Sequence, residues 1–183
     1  MLTVDKAAVL SNATQERELA EELKTAFRFH PAGIAVITAD ERGRPVGLTA
    51  SSVVSVSVEP PALMFSMVNR GSVAAAVLDV PSLLVHLLDS SNVELAQVFA
   101  TPGADKFGAE TKWTRLETGE PWLTEAPVAL RCRPITLTPV GGSTVVVAEV
   151  MEVLAADEDR GDPLVYFHRG YYRLAPENNL DVS

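Results

Sequence analysis

The chain has a single cysteine, Cys132, in 183 residues. That excludes an intramolecular disulfide and a cysteine-rich zinc site, and with them a disulfide-stapled secreted scaffold. Basic side chains are scarce as well: 15 Lys and Arg stand against 24 Asp and Glu, for a formal net charge of -9. Nucleic acid and anionic membranes are both bound through clustered cations, so neither is an expected partner. Aromatic residues make up only 6% of the chain, so an aromatic ligand would be gripped mostly by backbone and polar groups. No apolar run approaches the roughly 18 residues of a membrane span. Residues 1–10 carry Asp5 and Lys6 and lack the apolar core of a signal peptide. The three histidines, His30, His86 and His168, have no metal-ligand spacing. A GxSxG elbow, a P-loop and a GxGxxG fingerprint are all missing. The expectation is a cytoplasmic, soluble, single-domain protein without a metal.

What is present is a 47% apolar chain of a length that supports one domain with a sizeable core. Residues 14–29 read as an amphipathic helix, with Leu19, Leu23, Ala26 and Phe27 at three- and four-residue spacing and Thr14 as N-cap. The dipeptide His30-Pro31 stops it. From Gly33 the pattern turns to β: runs at 34–39, 46–58, 62–68, 82–88, 128–138, 144–154, 164–168 and 171–174, broken by clusters such as 40–45 and Gly141-Gly142. Short helices are expected at 72–79 and 92–99, the latter capped by Ser91 or Asn92. The stretch 101–125 reads as loop with a short helix, and 157–162 as a solvated loop. Many short strands without βαβ alternation indicate an antiparallel sheet closed as a barrel or a sandwich.

Three segments could carry chemistry. Gly47-Leu48-Thr49-Ala50-Ser51-Ser52 lies between two β runs, where small residues let a ligand approach the backbone and hydroxyls offer donors to phosphate or carbonyl oxygens. The same residues also read as a polar strand edge. In Asn69-Arg70-Gly71-Ser72 a strand gives way to a helix, and Arg70, Ser72 and the helix start together suggest an anion site. An ordinary cap beside a surface arginine is the alternative. His168-Arg169-Gly170-Tyr171-Tyr172 reads as a small polar site or as a tight turn between strands. His86, within an apolar run, and Cys132, in a strand pattern, read as core residues.

Taken together, three stretches resemble the flavin reductase-like family with an FMN-binding split barrel. They are residues 29–38 (FHPAGIAVIT), residues 47–61 (GLTASSVVSVSVEPP) and residues 164–172 (LVYFHRGYY). The segments 95–100 (LAQVFA) and Lys106-Phe107 agree with it too. The resemblance implies a mainly β fold, an antiparallel split β-barrel with short helices and an N-terminal helix. Its divisions would be an N-terminal extension and helix at 1–24, the barrel domain at 25–174 and a tail at 175–183. It also implies a homodimer that binds FMN or FAD, takes hydride from NADH or NADPH, and supplies reduced flavin to a partner monooxygenase. Other uses of such a barrel are flavin binding without turnover and a different flavin-dependent reaction.

Carried over by residue, Gly47, Leu48, Thr49, Ala50, Ser51 and Ser52 would line the flavin ring and ribityl chain, with Ser57 following in its matching position. Asn69, Arg70 and Ser72 would approach the phosphate. His168, Arg169 and Tyr171 would lie on the nicotinamide side, His168 as the catalytic residue in a positioning role. The hydride chemistry itself belongs to the cofactors, so no general acid or base is required of the chain.

Overall fold

The computed structural model describes residues 6–155, 161–175 and 177, with side chains from residue 14 onward except those of residues 72 and 155. Most of the loop expected at 157–162 and most of the tail at 175–183 lie outside the described residues. The chain opens with α1 (Lys6–Arg28), a longer helix than its apolar spacing predicts. Thr14 is therefore interior and not a cap, because Ala7, Ala8 and Leu10 are good helix formers that carry the helix back past it. The stripe of Leu19, Leu23 and Phe27 is exposed, at 64%, 58% and 65%. Amphipathic spacing shows correctly as a helix here, while among the described residues nothing covers its apolar stripe.

After the His30-Pro31 stop come β1 (Ala32–Gly33), β2 (Ala35–Glu41), β3 (Arg44–Ala50), β4 (Val54–Val58), β5 (Pro61–Val68), α2 (Ser72–Leu78) and β6 (Leu83–Leu87). A 3-10 turn (Ser90–Asn92) leads into α3 (Val93–Ala100), followed by β7 (Trp113–Arg115), β8 (Pro121–Leu123), β9 (Val128–Val140), β10 (Ser143–Ala155), β11 (Leu164–Phe167) and β12 (Gly170–Arg173). All pairings are antiparallel. The main sheet has seven strands in the order β3-β2-β6-β9-β10-β5-β4, with a three-stranded sheet β1-β11-β12 and a β7-β8 hairpin beside it. The fold is mainly β with few helices.

Two expectations from local pattern are corrected. Residues 101–125 hold the β7-β8 hairpin and not a short helix: Trp113 pairs with Leu123, and its ring packs edge-on against Phe107 while its Nε1–H donates to the Phe107 carbonyl at 3.0 Å. Tertiary aromatic packing outweighs the polar composition of that stretch. Before α3 the side-chain cap is Asp89, which accepts from the Ser91 N–H at 2.9 Å and caps the 3-10 turn; Asn92 precedes α3 without a side-chain cap bond.

The core forms two clusters. One joins Ile37, Phe65, Val77, Leu83, Val85 and Val146 under α2; the other joins Val36, Leu88, Phe99, Leu123 and Leu164 under α3. The alternation of β5 is clean, with Leu63, Phe65 and Met67 buried and Met64 and Val68 exposed. Val54, Val56 and Val58 are all exposed, and a register shift between Ser55 and Ser57 interrupts the alternation that their spacing predicts. With Ile135, Leu137, Val140, Met151 and Val153 they leave a broad apolar surface on the main sheet uncovered.

Candidate functional site

Strand β3 owes its position to a tight turn. Asp40 accepts from the Gly43 N–H, Arg115 pairs with Asp40, and Arg42 and Gly43 both take positive φ (54° and 88°), so β2 and β3 pair through to Glu41 and Arg44. At Gly47 a side chain is impossible without rearrangement, since a Cβ would lie 2.6 Å from the Phe99 ring and 3.0 Å from the Ile37 carbonyl. Phe99 thereby presses α3 directly onto β3, and the Thr49 hydroxyl adds a second tie by donating to the Ala96 carbonyl at 2.7 Å. Past the end of β3, the Ser52 hydroxyl donates to the Ser66 carbonyl at 2.9 Å and accepts from the Ser66 N–H at 3.0 Å, locking the segment to β5.

These ties enclose a cavity of about 470 Å³ between β3, β5, α2 and the end of α3. Leu48, Thr49, Ala50, Ser51 and Ser52 form one wall; Ser66, Met67, Val68, Val73 and Ala74 face them, and Phe99, Ala100 and Pro102 close a third side. The charged lining residues are Arg70 and Lys106, with no carboxylate among them. In a chain of net charge -9 this is a local positive exception. Lys106 is half-buried, its Nζ donates to the Gly47 carbonyl at 3.1 Å, and burial lowers its pKa. Arg70 is exposed and makes no ion pair among the described residues. With the Thr49 and Ser52 hydroxyls already donating within the fold, the donor set is the Ser51 and Ser66 hydroxyls plus two cations without an ion pair among the described residues, and in a cavity of ordinary ligand size it fits a flavin nucleotide chemically.

Of the residues nominated from sequence, Leu48, Thr49, Ala50, Ser51, Ser52 and Arg70 come together here. Gly47 stands behind the wall, as the contact point for Phe99. Ser57 sits in β4 opposite Ala62, and it does not line the cavity. Asn69 is committed to the fold: its N–H donates to the Gly142 carbonyl at 2.9 Å and its Oδ1 accepts from Thr144 at 2.9 Å. Gly71, with φ 86°, holds the N-cap position of α2, and Ser72 follows it as the first helical residue, its side chain outside those described. At seven residues α2 is too short to count as an anion site in its own right, so the expectation there reduces to Arg70.

His168 and Arg169 are elsewhere. They form the two-residue turn of the β11-β12 hairpin and line a second cavity of about 380 Å³, together with Glu21, Lys24, Phe27 and Arg28 of α1. Both have positive φ (48° and 66°), and the His168 N–H donates to the Arg28 carbonyl at 3.0 Å. The His168 ring lies 5.1 Å from that of Phe29. Tyr171 packs in the second core cluster, edge-on to Tyr166 at 5.2 Å; burial, then the Tyr166 neighbour, raises its pKa. Sequence reasoning left Lys106, Phe99, Ala100 and Pro102 without a role. A signal existed for Lys106, an isolated cation beside Phe107 in an otherwise uncharged-to-acidic loop.

His86 and Cys132 are core residues, as read. His86 is fully buried, its Nδ1–H donates to the Val36 carbonyl at 3.1 Å, and its Nε2 accepts from the Leu123 N–H at 3.0 Å, which sets the tautomer. Burial pushes the Cys132 thiol up to about 12, so it is no nucleophile. Among the described residues no helix is long and apolar enough to cross a membrane.

A mainly antiparallel β domain carrying a cationic, hydroxyl-lined nucleotide-sized cavity is the class that these observations define. The chain belongs to the family described as the flavin reductase like domain, whose profile matches residues 27–175. Among its relatives, the NADH:FMN oxidoreductase of Rhodococcus qingshengii is 40% identical over 159 residues, 86% of this chain and 83% of that one. The reductase component of the FADH(2)-dependent resorcinol hydroxylase of a Rhizobium strain is 30% identical over 160 residues, 85% of this chain and 88% of that one. The crystal structure of a flavin reductase domain protein from Arthrobacter sp. FB24 superposes with a TM-score of 0.81 at 32% identity, covering 89% of this chain and 98% of that one.

Proposed function

We propose that this protein is an NAD(P)H:flavin oxidoreductase that binds FMN or FAD in the cavity beside β3 and delivers reduced flavin to a partner monooxygenase. The observation that carries the reading is the cavity itself, with residues 48–52 on one wall and Arg70 and Lys106 as its charged groups. The family match and the names of the relatives support the reaction; the resorcinol hydroxylase component supports the kind of partner.

When bound, the flavin supplies the hydride-accepting ring. The chain's own part is placement. Thr49 and Ser52 spend their hydroxyls inside the wall, which makes it rigid and leaves the ring to be oriented by a preformed surface. Phe99, Ala100 and Pro102 exclude water from one side of the cavity. Arg70 and Lys106 oppose negative charge without a competing carboxylate. The cavity's titratable groups are these two cations, which suits a hydride transfer and not a reaction needing a side-chain base. His168, Arg169 and Tyr171 are assigned to the nicotinamide side within this proposal, and Asn69, Ser57 and Ser72 to the margin of the flavin site.

The same reading includes a homodimer, a barrel and a cytoplasmic location. The exposed valines of β4 and the exposed Ile135, Leu137 and Val153 support burial against a second copy. The approach of edge strand β3 to β5 supports a sheet curled into a split barrel. The division into 1–24, 25–174 and 175–183 is supported by the family match over 27–175 and by α1, whose residues from 14 to 27 are all exposed.

Purified protein mixed with NADH or NADPH tests the proposal. Oxidation of the nicotinamide that depends on added FMN or FAD is expected. No flavin-dependent oxidation with either nicotinamide overturns it.

A further inference from the structure

The cavity between α1 and the β11-β12 turn is lined by three cations, Lys24, Arg28 and Arg169, against a single carboxylate, Glu21. Glu21 is taken by Lys24, at 2.6 Å. Arg28 is half-buried and Arg169 exposed, and neither has an ion-pair partner among the described residues. Five other arginines do have carboxylate partners, Arg131 with Glu120 among them. In a chain with 24 acidic residues, two guanidiniums left unmatched around one cavity of about 380 Å³ mark a place for an anion brought in by a ligand.

A cation in the last turn of α1 suits the helix dipole, which is reason enough for Arg28 taken alone. It gives no reason for Arg169, which holds a left-handed backbone position, φ 66°, where a long side chain is unfavourable. The turn is fastened to the helix end by the His168 N–H, which donates to the Arg28 carbonyl at 3.0 Å. That bond brings the two arginines to one cavity from different elements, as planar guanidiniums must be placed to grip phosphate oxygens from two sides. The rest of the lining is aromatic. In a chain only 6% aromatic, Phe27, Tyr166 and Phe167 all line this cavity. Aromatic rings beside guanidiniums match a phosphorylated purine nucleoside, which offers a flat base to pack and oxyanions to pair.

We propose that this cavity holds the phosphate-bearing adenosine end of the nicotinamide dinucleotide, with Arg28 and Arg169 on its phosphate oxygens. This rests on the NAD(P)H reading of the protein. The phosphate has two sources, the diphosphate common to NADH and NADPH and the 2′-phosphate of NADPH alone. In the second case these two arginines decide which nicotinamide the protein uses. A helix end and a turn that merely carry surface arginines are the rival explanation.

The test titrates ADP and 2′,5′-ADP into FMN-loaded wild type and into the double variant Arg28→Gln with Arg169→Gln, alongside thermal unfolding of each. If the 2′-phosphate is the source, 2′,5′-ADP binds wild type roughly tenfold tighter than ADP, and the double variant loses that margin. If the diphosphate is the source, the two ligands bind wild type alike, and both weaken roughly tenfold in the double variant. The charge-keeping pair Arg28→Lys with Arg169→Lys restores part of the loss in either case. The proposal is overturned if wild type binds neither ligand, or if the double variant binds both as wild type does. It is equally overturned if the loss goes with a lowered unfolding temperature and the lysine pair restores none of it. Wild type without flavin-dependent oxidation of either nicotinamide sinks the function proposed above. That result is distinct from these, because the same titrations without FMN still report on the cavity.

Discussion

Two polar regions of this molecule sit within a few strands of each other and are built on opposite terms. Beneath β2, β6 and β9, His86, Thr38 and Glu120 are buried polar groups that each have partners, although the buried Trp122 indole N–H of β8 has none among the described residues. His86 is bonded at both ring nitrogens, Thr38 donates to the Pro121 carbonyl at 2.5 Å, and Glu120 accepts from Ser82 at 2.5 Å, Arg131 at 2.7 Å and Thr118. In the cavity beside β3, Arg70 and Lys106 have no ion-pair partner among the described residues. The first arrangement consumes its hydrogen-bonding capacity in holding the fold, and the second keeps charge in reserve. Damage to the first should cost stability and spare ligand selectivity, and damage to the second should do the reverse.

The largest effect expected is on the core side, from acid. Unfolded, the His86 imidazole protonates near 6.5; in the fold, burial, only partly opposed by the bond to the Val36 carbonyl, pushes it down to about 4. Between those values the unfolded chain binds the extra proton, so this contribution is complete above pH 6.5 and is lost as pH falls toward 4. A shift of that size corresponds to about 3 kcal/mol. Urea unfolding at intervals from pH 7.5 to 5 should show the decline, and His86→Leu, though less stable at neutral pH, should flatten it. A wild-type curve flat over that window would place the His86 ring in contact with water after all.

Next comes Glu120. Burial alone would raise its carboxyl, but the bonds from Ser82 and Thr118, its own backbone N–H and Arg131 together hold it below the usual range. Removing the charge with Glu120→Gln leaves the half-buried Arg131 uncompensated and should cost about 2 kcal/mol of stability. The FMN-to-riboflavin preference should stay within a factor of two. Arg70→Ala is its mirror image: FMN affinity should fall roughly tenfold, with stability changed by no more than about 0.5 kcal/mol, as for an exposed side chain without a partner. Denaturation and flavin titration on the same two preparations check both halves. Equal losses of FMN affinity in the two variants would erase the distinction.

The fold was largely legible in the sequence because its strands are short, β-branched and punctuated. The turn at 40–45, the stop at His30-Pro31 and the Gly141-Gly142 hairpin fall where local chemistry puts them. What local pattern misread depends on long-range contacts. Trp113 pairs with Leu123 and packs on Phe107, and this made strand out of a loop composition. For the site, the small and hydroxyl-bearing run 48–52 identified one wall, since few other residues let a ligand so near a backbone. Lys106 reaches that wall across 59 positions of chain, and no periodicity reports such a contact. Val54, Val56 and Val58 show the limit from the other side: a register shift on β5 interrupts their alternation, and their exposure, like the shift, is not written in spacing.

The smallest effect expected concerns the hairpin that carries His168 and Arg169. A two-residue turn with both residues at positive φ favours Asn-Gly, because branched or long side chains crowd the left-handed backbone. Here His168 and Arg169 occupy it, at φ 48° and 66°. Replacing them together, His168→Asn with Arg169→Gly, should relieve that strain and stabilise the protein by about 1 kcal/mol. Since neither residue lines the cavity beside β3, flavin affinity should hold within a factor of two. If these side chains serve the nicotinamide, the stabilised variant should still need a higher NADH or NADPH concentration for half-maximal flavin reduction. Strain kept at a turn that asparagine and glycine would fill more comfortably is then strain kept for the reaction, as stored backbone strain is elsewhere. Gained stability with an unchanged KM would instead make His168-Arg169 an ordinary turn and place the nicotinamide contacts on other residues.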